Sequence, residues 1–423
     1  MNFKEWIQWL NALPGSFKWF PVLIILRPVI DNLYFLKNIS PYLSPPYIIG
    51  VLTPILCIYT ILKYKIPPLK TVDKTMIYWS VSVVVACLML VFYDVFSLLA
   101  IEFVLKLIMP ICLYFFLRIF IRDLRDLHGI LQCFLYAGIF VATLLLYEVF
   151  VNPIAIQESR GMERIQASFG DVVSYGVFIT FALITASYFF FSRQHIVSKM
   201  RLLAILIPVV ILSLLGLFNI HHTASYMVFA TIFLTFIAFN LRVKNQSVAL
   251  AIIAVAGLGF MIWGPQIISD QISPLVQTDL QVYSGEQDAD KLLHGRVGRW
   301  RNMLENFSAE GMHVQFFGYP LKMQYVYHYI GSGSHNDFVR VLFTTGVVGF
   351  VLYLILLYRF WSRRKLLPPA QRYLLSVSFM AFLFYSISVT PTMYAPFMYF
   401  IMTVFAYVAL SANDLTKWIN TEY

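Results

Sequence analysis

Charged residues are scarce in this chain of 423 residues: they make up 12% of it, whereas hydrophobic residues make up 60%. A soluble globular domain has about 25% charged and 45–50% apolar residues. The composition therefore excludes a soluble domain and predicts an integral membrane protein. Period-two alternation of apolar and polar residues is also absent, so we expect the membrane-crossing elements to be helices and not barrel strands.

Cysteine is rare as well, and its spacing excludes two kinds of site. The four cysteines, at positions 57, 87, 112 and 133, lie in apolar segments and have the spacing of neither a zinc site nor a redox motif. We interpret them as small packing residues. The chain also lacks a repeat of fixed period, a nucleic-acid-binding motif and a cytoplasmic stretch long enough to fold as a domain.

Long apolar runs, in contrast, recur from one end of the chain to the other. A helix needs about 20 apolar residues to cross the hydrocarbon core of a bilayer. The sequence predicts twelve such spans, at 17–36, 47–63, 76–93, 96–117, 129–150, 172–192, 201–219, 224–240, 248–264, 338–358, 372–390 and 393–411. We therefore expect an all-α bundle, and we expect the first span to be a retained helix and not a removable signal peptide.

The distribution of lysine and arginine predicts the orientation. Most basic residues outside the spans fall on one side, in the segments that would be cytoplasmic if the N-terminus is cytoplasmic. Both termini are then expected inside. The net charge of +10 largely reflects this asymmetry, so it does not indicate a nucleic-acid partner.

One outer segment is much longer than the others. It lies between the ninth and tenth spans, and loops of this length in a compact protein are usually functional. We predict one helix in it, over about Gly295 to Phe307. The chain is thus divided into 1–264 with nine spans, 265–337 with the large outer loop, and 338–423 with three spans and a cytoplasmic tail.

Within this loop, the stretch H-G-R-V-G-R-W (294–300) contains Arg296, Arg299 and Trp300. Arginine is permanently charged and can bind a phosphate through two N–H groups at once. The stretch therefore indicates a pyrophosphate site at the membrane surface. A solvated basic patch, or contact with anionic lipid headgroups, is the alternative interpretation.

The loop ends with S-H-N-D-F-V-R, immediately before the tenth span. Asn336 and Asp337 are candidate N-caps, and His335 could accept a proton from a hydroxyl, or orient it. Arg340 lies about one turn inside the helix, where an arginine is costly and usually faces a polar cavity. The alternative for His335 is an ordinary surface histidine.

Two further groups of charged residues lie near the predicted outer face. Arg27 and Asp31 are four residues apart in the first span, so they lie on one helix face and can form an ion pair. The pair either fixes a helix kinked at Pro28 or lines a substrate groove. Arg164 lies in an outer segment that ends at the next helix start, where an anion could be held.

These motifs together resemble the superfamily of O-antigen ligases and Wzy-type polysaccharide polymerases. The resemblance covers most of the chain, but only its last third is specific. It rests on the segment 164–170, on G-R-V-G-R-W at 295–300, on G-Y-P at 318–320, on H-N-D-F-V-R at 335–340 and on G-V-V-G at 346–349.

The resemblance implies a metal-independent inverting glycosyltransferase of the GT-C type that needs no cofactor. The donor would be a glycan on undecaprenyl pyrophosphate, and the acceptor a lipid-linked glycan or lipid A-core. His335 would activate the acceptor, Arg296 would hold the pyrophosphate and Arg164 would contact it. The implied location is the bacterial inner membrane with the site facing outward, and a chain-length regulator is a further expected partner.

The sequence departs from the family pattern at one position and leaves the acceptor open. Many relatives carry arginine where this chain has Tyr226, and we expect Arg299 or Arg340 to compensate. The motifs favour a polymerase that joins lipid-linked repeat units over a ligase that transfers the polymer to lipid A-core. A transporter of lipid-linked glycan is the alternative of another class, since twelve helices are also common there.

Overall fold

Helices dominate the structure, which is a computed structural model describing residues 3–40, 44–92, 98–159, 162–192, 197–242, 246–318 and 334–410. The α-helices, numbered in chain order, are α1 (Phe3–Ala12), α2 (Gly15–Asn32), α3 (Pro45–Lys63), α4 (Thr71–Phe92), α5 (Leu98–Phe120), α6 (Leu124–Phe150), α7 (Val172–Ser192), α8 (Lys199–Ile220), α9 (Thr223–Arg242), α10 (Gln246–Ile267), α11 (Ser273–Tyr283), α12 (Leu292–Ala309), α13 (Met312–Phe317), α14 (Asp337–Ser362), α15 (Pro369–Ser388) and α16 (Ala395–Val408).

The apolar helices agree with the predicted fold class at the level of an all-α membrane protein. A helix lies at each of the twelve predicted positions. Among the described residues, seven helices are long and apolar enough to cross a membrane: α3, α4, α6, α7, α8, α9 and α14. Helix α7 is the most enclosed of these, because α6, α8, α9 and α15 all pack against it.

The first helix, α1, is absent from the sequence prediction. It is too short to cross a bilayer, and it instead packs its two tryptophans against α6. The indole N–H of Trp6 donates to the carbonyl of Gly129 at 3.2 Å, and that of Trp9 donates to Asp126 at 3.0 Å. These bonds hold the start of the chain against the start of α6.

The segment between α6 and α7 contains the only strands of the described chain. Strands β1 (Ile156–Ser159) and β2 (Met162–Ile165) pair antiparallel, with Gln157 opposite Arg164. The sequence does not predict this hairpin, because strands of four residues are too short to give a periodic signal.

The long predicted loop is largely helical. Helix α10 continues through Pro265 to Ile267, so the predicted boundary at 264 falls inside a helix. Helices α11, α12 and α13 follow, and α12 contains the predicted helix over Gly295 to Phe307. Met303 and Phe307 of α12 pack on Phe343 of α14, which ties the segment to the bundle.

Helix α14 is interrupted at Gly346. The backbone there is left-handed, with φ of +65°, and it divides α14 into two halves. A Cβ atom on Gly346 would lie 2.3 Å from the carbonyl oxygen of Phe316 in α13, and one on Gly318 would lie 2.5 Å from the Gly346 nitrogen. Glycine is needed at both positions because the two backbones touch.

Candidate functional site

The candidate residues gather at one end of the bundle, which we name the site end. Helices α2, α6, α8 and α15 finish there, and α7, α9, α14 and α16 begin there. Three contacts join these ends: Asn32 accepts from the Ser168 N–H at 2.7 Å, Tyr394 donates to Asp31 at 3.1 Å, and Arg340 donates to Thr392. These contacts link segments that are far apart in the sequence.

The segment before α14 is held in one conformation by three hydrogen bonds. Asn336 is the N-cap, because its side-chain oxygen accepts from the N–H groups of Phe338 (2.9 Å) and Val339 (3.1 Å). The indole N–H of Trp300 in α12 donates to the carbonyl of Ser334 at 2.8 Å. The prediction of Asn336 as a cap is confirmed, and Trp300 fastens α12 to this segment.

His335 lies between these anchors in a left-handed backbone conformation, with φ of +44°. Such a conformation costs a non-glycine residue of the order of 1–3 kcal/mol and tends to occur at functional sites. The other described non-glycine residues with positive φ are Ala167, His221 and Leu293. Ala167 and Leu293 are three residues from Arg164 and Arg296 along the chain, respectively.

Arg296 and Arg299 provide the electrostatic environment of His335. Part of the imidazole surface reaches solvent, but burial of the rest and the positive charges of Arg296 and Arg299 lower its pKa to about 4. Burial and the charge of Arg299 also lower the pKa of Arg296. Two guanidinium groups beside a neutral imidazole form a site that favours a polyanion.

Ser388, the last residue of α15, holds Arg296 in this site. The Nη1 atom of Arg296 donates to the Ser388 hydroxyl at 3.1 Å. One turn earlier, the Tyr385 hydroxyl contacts the hydroxyls of Ser225 (3.0 Å) and Thr180 (3.2 Å), which anchors the end of α15 to α9 and α7. Neither residue is predictable from the sequence, because a serine and a tyrosine in an apolar helix give no distinctive signal.

Replacing Ser388 by alanine is expected to raise the KM for an anionic donor by about tenfold or more, because a hydrogen bond from a charged group such as the Arg296 guanidinium contributes roughly 1.5–3 kcal/mol. The threonine variant retains the hydroxyl and should restore most of the affinity. Steady-state kinetics of both variants would check this, with Ser386→Ala in the same helix as a control. Equal defects in the alanine and threonine variants would contradict a role for the hydroxyl.

Asp337 and Arg340 form a buried ion pair inside α14. Their side chains are 0% and 4% exposed, and the Arg340 Nε atom lies 3.0 Å from the Asp337 carboxylate. Thr392, in the short 3₁₀ turn between α15 and α16, donates to the same carboxylate at 2.6 Å. Asp337 is therefore not an N-cap, and Arg340 is engaged by protein groups at Nε and Nη2. The expectation that Arg340 replaces the family arginine at position 226 gains no support from this geometry.

Arg27 and Asp31 form the predicted ion pair, with 2.8 Å between the Arg27 Nη2 atom and the Asp31 carboxylate. Tyr394, immediately before α16, also donates to Asp31, and the Arg27 guanidinium lies 5.8 Å from the centre of the Tyr399 ring in α16. These contacts join α2 to α16. The pairing is confirmed, and the Nε and Nη1 atoms of Arg27 have no hydrogen-bond partner among the described residues.

A similar buried pair lies at the opposite end of the bundle. Arg118 binds Asp73 through two N–H groups, at 2.8 and 3.2 Å, and Tyr114 donates to the same carboxylate at 2.6 Å. Paired charges in this protein thus occur at both ends. A buried ion pair alone therefore does not distinguish the site end, whereas the two arginines beside His335 do.

Arg164 lies on β2, and its side chain is enclosed. Only 8% of the residue is exposed, and Nε and Nη2 have no hydrogen-bond partner among the described residues. Burial lowers its pKa, and the nearby Asp171 and Tyr226 partly offset this effect. The position at which relatives often carry arginine is therefore next to Arg164.

Glu148 fixes the segment that carries Arg164, and the sequence analysis missed it. This residue near the end of α6 is 2% exposed. Its carboxylate accepts from the backbone N–H groups of Ala167 (2.9 Å) and Ile154 (3.3 Å), one on each side of the hairpin. The sequence signal for Glu148 is an acidic residue within an apolar run.

Some of the predicted features cannot be placed. Tyr319 and Pro320 of the predicted turn lie outside the described residues, as does the cytoplasmic tail beyond residue 410. In the described part of the chain, His, Cys, Asp and Glu side chains form no group of three that could hold a metal. The cationic groups around His335 instead suit an anionic ligand.

No protein-family model matches this chain, and no curated protein matches it. The family resemblance therefore rests on the sequence motifs.

Proposed function

We propose that this protein is a GT-C-type glycosyltransferase with twelve membrane-spanning helices, both termini in the cytoplasm and its site end on the outer face of a bacterial inner membrane. It transfers glycan from undecaprenyl pyrophosphate to a sugar hydroxyl. One observation carries the proposal: a neutral imidazole, His335, lies beside two arginines at the end of an apolar bundle. That arrangement suits a donor with a lipid tail, a pyrophosphate and a sugar.

The chemistry follows from these groups. The acceptor oxygen attacks the anomeric carbon and forms a new C–O bond, while the bond from that carbon to the pyrophosphate oxygen breaks. Arg296 and Arg299 stabilise the negative charge that develops on the departing pyrophosphate. His335 orients the acceptor hydroxyl and accepts its proton. The donor is already activated, so the reaction requires no nucleotide.

Donor binding also changes the basicity of His335. In the free protein, burial and the positive charges of Arg296 and Arg299 together lower the imidazole pKa to about 4. A bound pyrophosphate places negative charge beside the same imidazole and offsets those charges, which raises the pKa. The base is thus strengthened when the donor is in place.

This coupling predicts two different pH profiles. Activity requires neutral His335 and is lost as the pH falls through its pKa. The acidic limb of the kcat/KM profile for the donor reports the pKa in the free protein, so we expect it near pH 4. The acidic limb of the kcat profile reports the pKa in the donor complex, so we expect it at higher pH. Rate measurements across pH 3.5–8 would test this. In the Arg299→Gln variant, the acidic limb of the kcat/KM profile should move to higher pH. Acidic limbs at the same pH in the kcat and kcat/KM profiles of the wild type would contradict the coupling.

Two activities share this chemistry and differ in the acceptor that they use. We favour a Wzy-type polymerase that joins lipid-linked repeat units, because of the H-N-D-F-V-R motif and the R-P-x-x-D sequence of α2. The alternative is an O-antigen ligase that transfers the polymer to lipid A-core. A transporter is the alternative of another class, but its polar sites usually lie at the bilayer midplane, whereas the candidate residues here gather at one end.

Purified protein with a defined undecaprenyl-pyrophosphate repeat unit distinguishes these activities. Longer lipid-linked glycans from the repeat unit alone, lost in Arg296→Ala, are expected for a polymerase. Product that forms only when lipid A-core is added would identify a ligase. Absence of transfer under both conditions with a matched donor, together with translocation of that donor in sealed vesicles, would support the transporter.

A further inference from the structure

Helix α13 has two different faces. One face carries Val314 and Gly318, which are buried, and the Gly318 backbone touches the backbone of α14 at Gly346. The other face exposes three apolar side chains, which are Met312 (75% exposed), Phe316 (49%) and Phe317 (44%). The one further exposed residue of α13, His313, lies near the start of the helix with its ring against Gly311. Helix α13 therefore presents a bare apolar surface beside α14.

Helix α12, which precedes α13, has the opposite polarity on its exposed surface. Its exposed side chains from Arg301 to Ser308 are polar apart from that of Leu304. The Gln315 amide joins the two helices, because it donates to the carbonyls of Ser308 (2.9 Å) and Glu310 (2.7 Å) at the end of α12. The exposed surface thus changes from polar to apolar between α12 and α13, as expected for a chain that passes from water into a membrane interface.

Helix α14 gives the depth of α13 in the bilayer. The residues from Asn336 to Gly346 are all buried or half-buried, whereas the second half of α14 exposes apolar and aromatic side chains as far as Arg359. They are Val347, Val348, Val351, Leu354, Ile355 and Tyr358. Gly346 lies 13 residues before Arg359, which corresponds to about 20 Å along a helix. With Arg359 at the inner boundary of a hydrocarbon core about 30 Å thick, Gly346 and the end of α13 lie within the outer leaflet.

Helix α4, which runs antiparallel to α14, gives a second measure of this depth. A Cβ atom on Gly349 would lie 3.0 Å from the Ser82 hydroxyl, so these two residues lie at one level. Ser82 is eight residues from Lys74, which is exposed near the start of α4. Gly346 lies one turn beyond Gly349, and these spacings place it about 17 Å from the level of Lys74. Both helices therefore place the end of α13 below the outer boundary of the hydrocarbon core.

We propose that α13 is a membrane anchor whose exposed face, formed by Met312, Phe316 and Phe317, inserts among the phospholipid acyl chains of the outer leaflet. Phe316 touches α14 at Gly346, and the exposed apolar surface of α14 begins at the next residue, Val347. The two surfaces are therefore continuous, and the same lipids cover both. Part of the segment that the sequence predicts as an outer loop thus lies in the bilayer.

The anchor also fixes the height of α12 above the membrane. Gln315 ties α13 to the end of α12, and α12 carries Arg296 and Arg299. Contact with lipid at α13 therefore holds the two guanidinium groups at one distance from the bilayer. This consequence rests on the proposed function, in which these arginines meet a pyrophosphate at the membrane surface, whereas the insertion of α13 does not depend on it.

Photocrosslinking tests what covers this face. Phe316 is replaced by benzoylphenylalanine, which reacts with nearby C–H bonds on illumination, in protein reconstituted in vesicles of phosphatidylethanolamine and phosphatidylglycerol. The same amino acid at Leu354, on the lipid-facing surface of α14, is the positive control, and at Glu286, exposed between α11 and α12, it is the negative control. We expect phospholipid adducts at positions 316 and 354 and only background at position 286.

Two results would overturn the anchor. A yield of phospholipid adduct at position 316 as low as that at position 286 would show that α13 lies outside the bilayer. A crosslink from position 316 to a second copy of the chain, in place of lipid, would assign the face to a protein interface. Neither result depends on enzymatic activity.

Kinetics in the same vesicles test the effect on α12. Phe316→Asp places a charge on the inserted face and should displace α13, so we expect the KM for an undecaprenyl-pyrophosphate donor to rise by about threefold or more. Phe316→Leu keeps an apolar side chain and should leave this KM within about twofold of the wild-type value. If both variants keep the wild-type KM, α13 does not set the height of α12. A wild type without transfer would reject the proposed function and leave the crosslinking result as it stands.

Discussion

Alanine at position 335 is expected to lower the kcat of glycan transfer by about 100-fold to 10,000-fold, the usual contribution of a positioned acid or base. The imidazole of His335 is the group beside Arg296 and Arg299 that can accept the acceptor proton. The KM for the donor should change little, since the arginines remain. Steady-state kinetics with a saturating acceptor would measure both parameters.

The backbone at position 335 requires a matched control. His335 is left-handed, and alanine tolerates that conformation less well than asparagine. His335→Asn therefore retains the backbone and removes the base. If the asparagine variant keeps more than about a tenth of the wild-type kcat, orientation of the acceptor and not proton transfer is the main role of His335.

Removal of the Asp337 carboxylate should have the largest effect on stability. Asp337→Ala leaves the Arg340 guanidinium buried without its counter-charge, and breaking a buried pair in this way typically costs about 3–5 kcal/mol. Thr392 also loses its acceptor. We expect a lower midpoint of thermal unfolding for the variant in detergent or nanodiscs.

Arg340, the ion-pair partner of Asp337, provides the control for this measurement. In the double variant Asp337→Ala with Arg340→Met, no buried charge remains, so much of the stability should return. Asp270→Ala removes an exposed carboxylate and should change stability by less than about 0.5 kcal/mol. A double variant less stable than Asp337→Ala alone would contradict the assignment of the cost to the unpaired arginine.

The positions of the apolar helices were predictable because length and hydropathy alone specify a membrane helix. The elements that escaped prediction do not meet that requirement. Helix α1 is short and buries only one face, and helices α11 to α13 follow one another through a polar segment whose few apolar residues, such as Met303 and Phe307, pack on α14. Their stability comes from tertiary contacts, which a single sequence does not display.

The candidate site was predictable only in part. An N-cap and an ion pair depend on local spacing, so Asn336 and the pairing of Arg27 with Asp31 could be inferred. The contacts of Ser388 with Arg296 and of Glu148 with Ala167 join residues 92 and 19 positions apart. No periodicity connects such residues, and the sequence analysis therefore could not find them.

The interruption at Gly346 has a mechanical consequence for the whole site end. The first half of α14 carries Arg340 and is fastened by Trp300 and Phe307 to α12, which also carries Arg296. The second half packs on α4 through Gly349. The left-handed residue interrupts the helix, so side chains couple its two halves: the Tyr353 hydroxyl in the second half donates to Asp337 in the first at 3.4 Å, and its ring contacts Phe338. The ion pair of Asp337 and Arg340 is thus connected to the membrane-spanning half of α14 through the side chain of Tyr353.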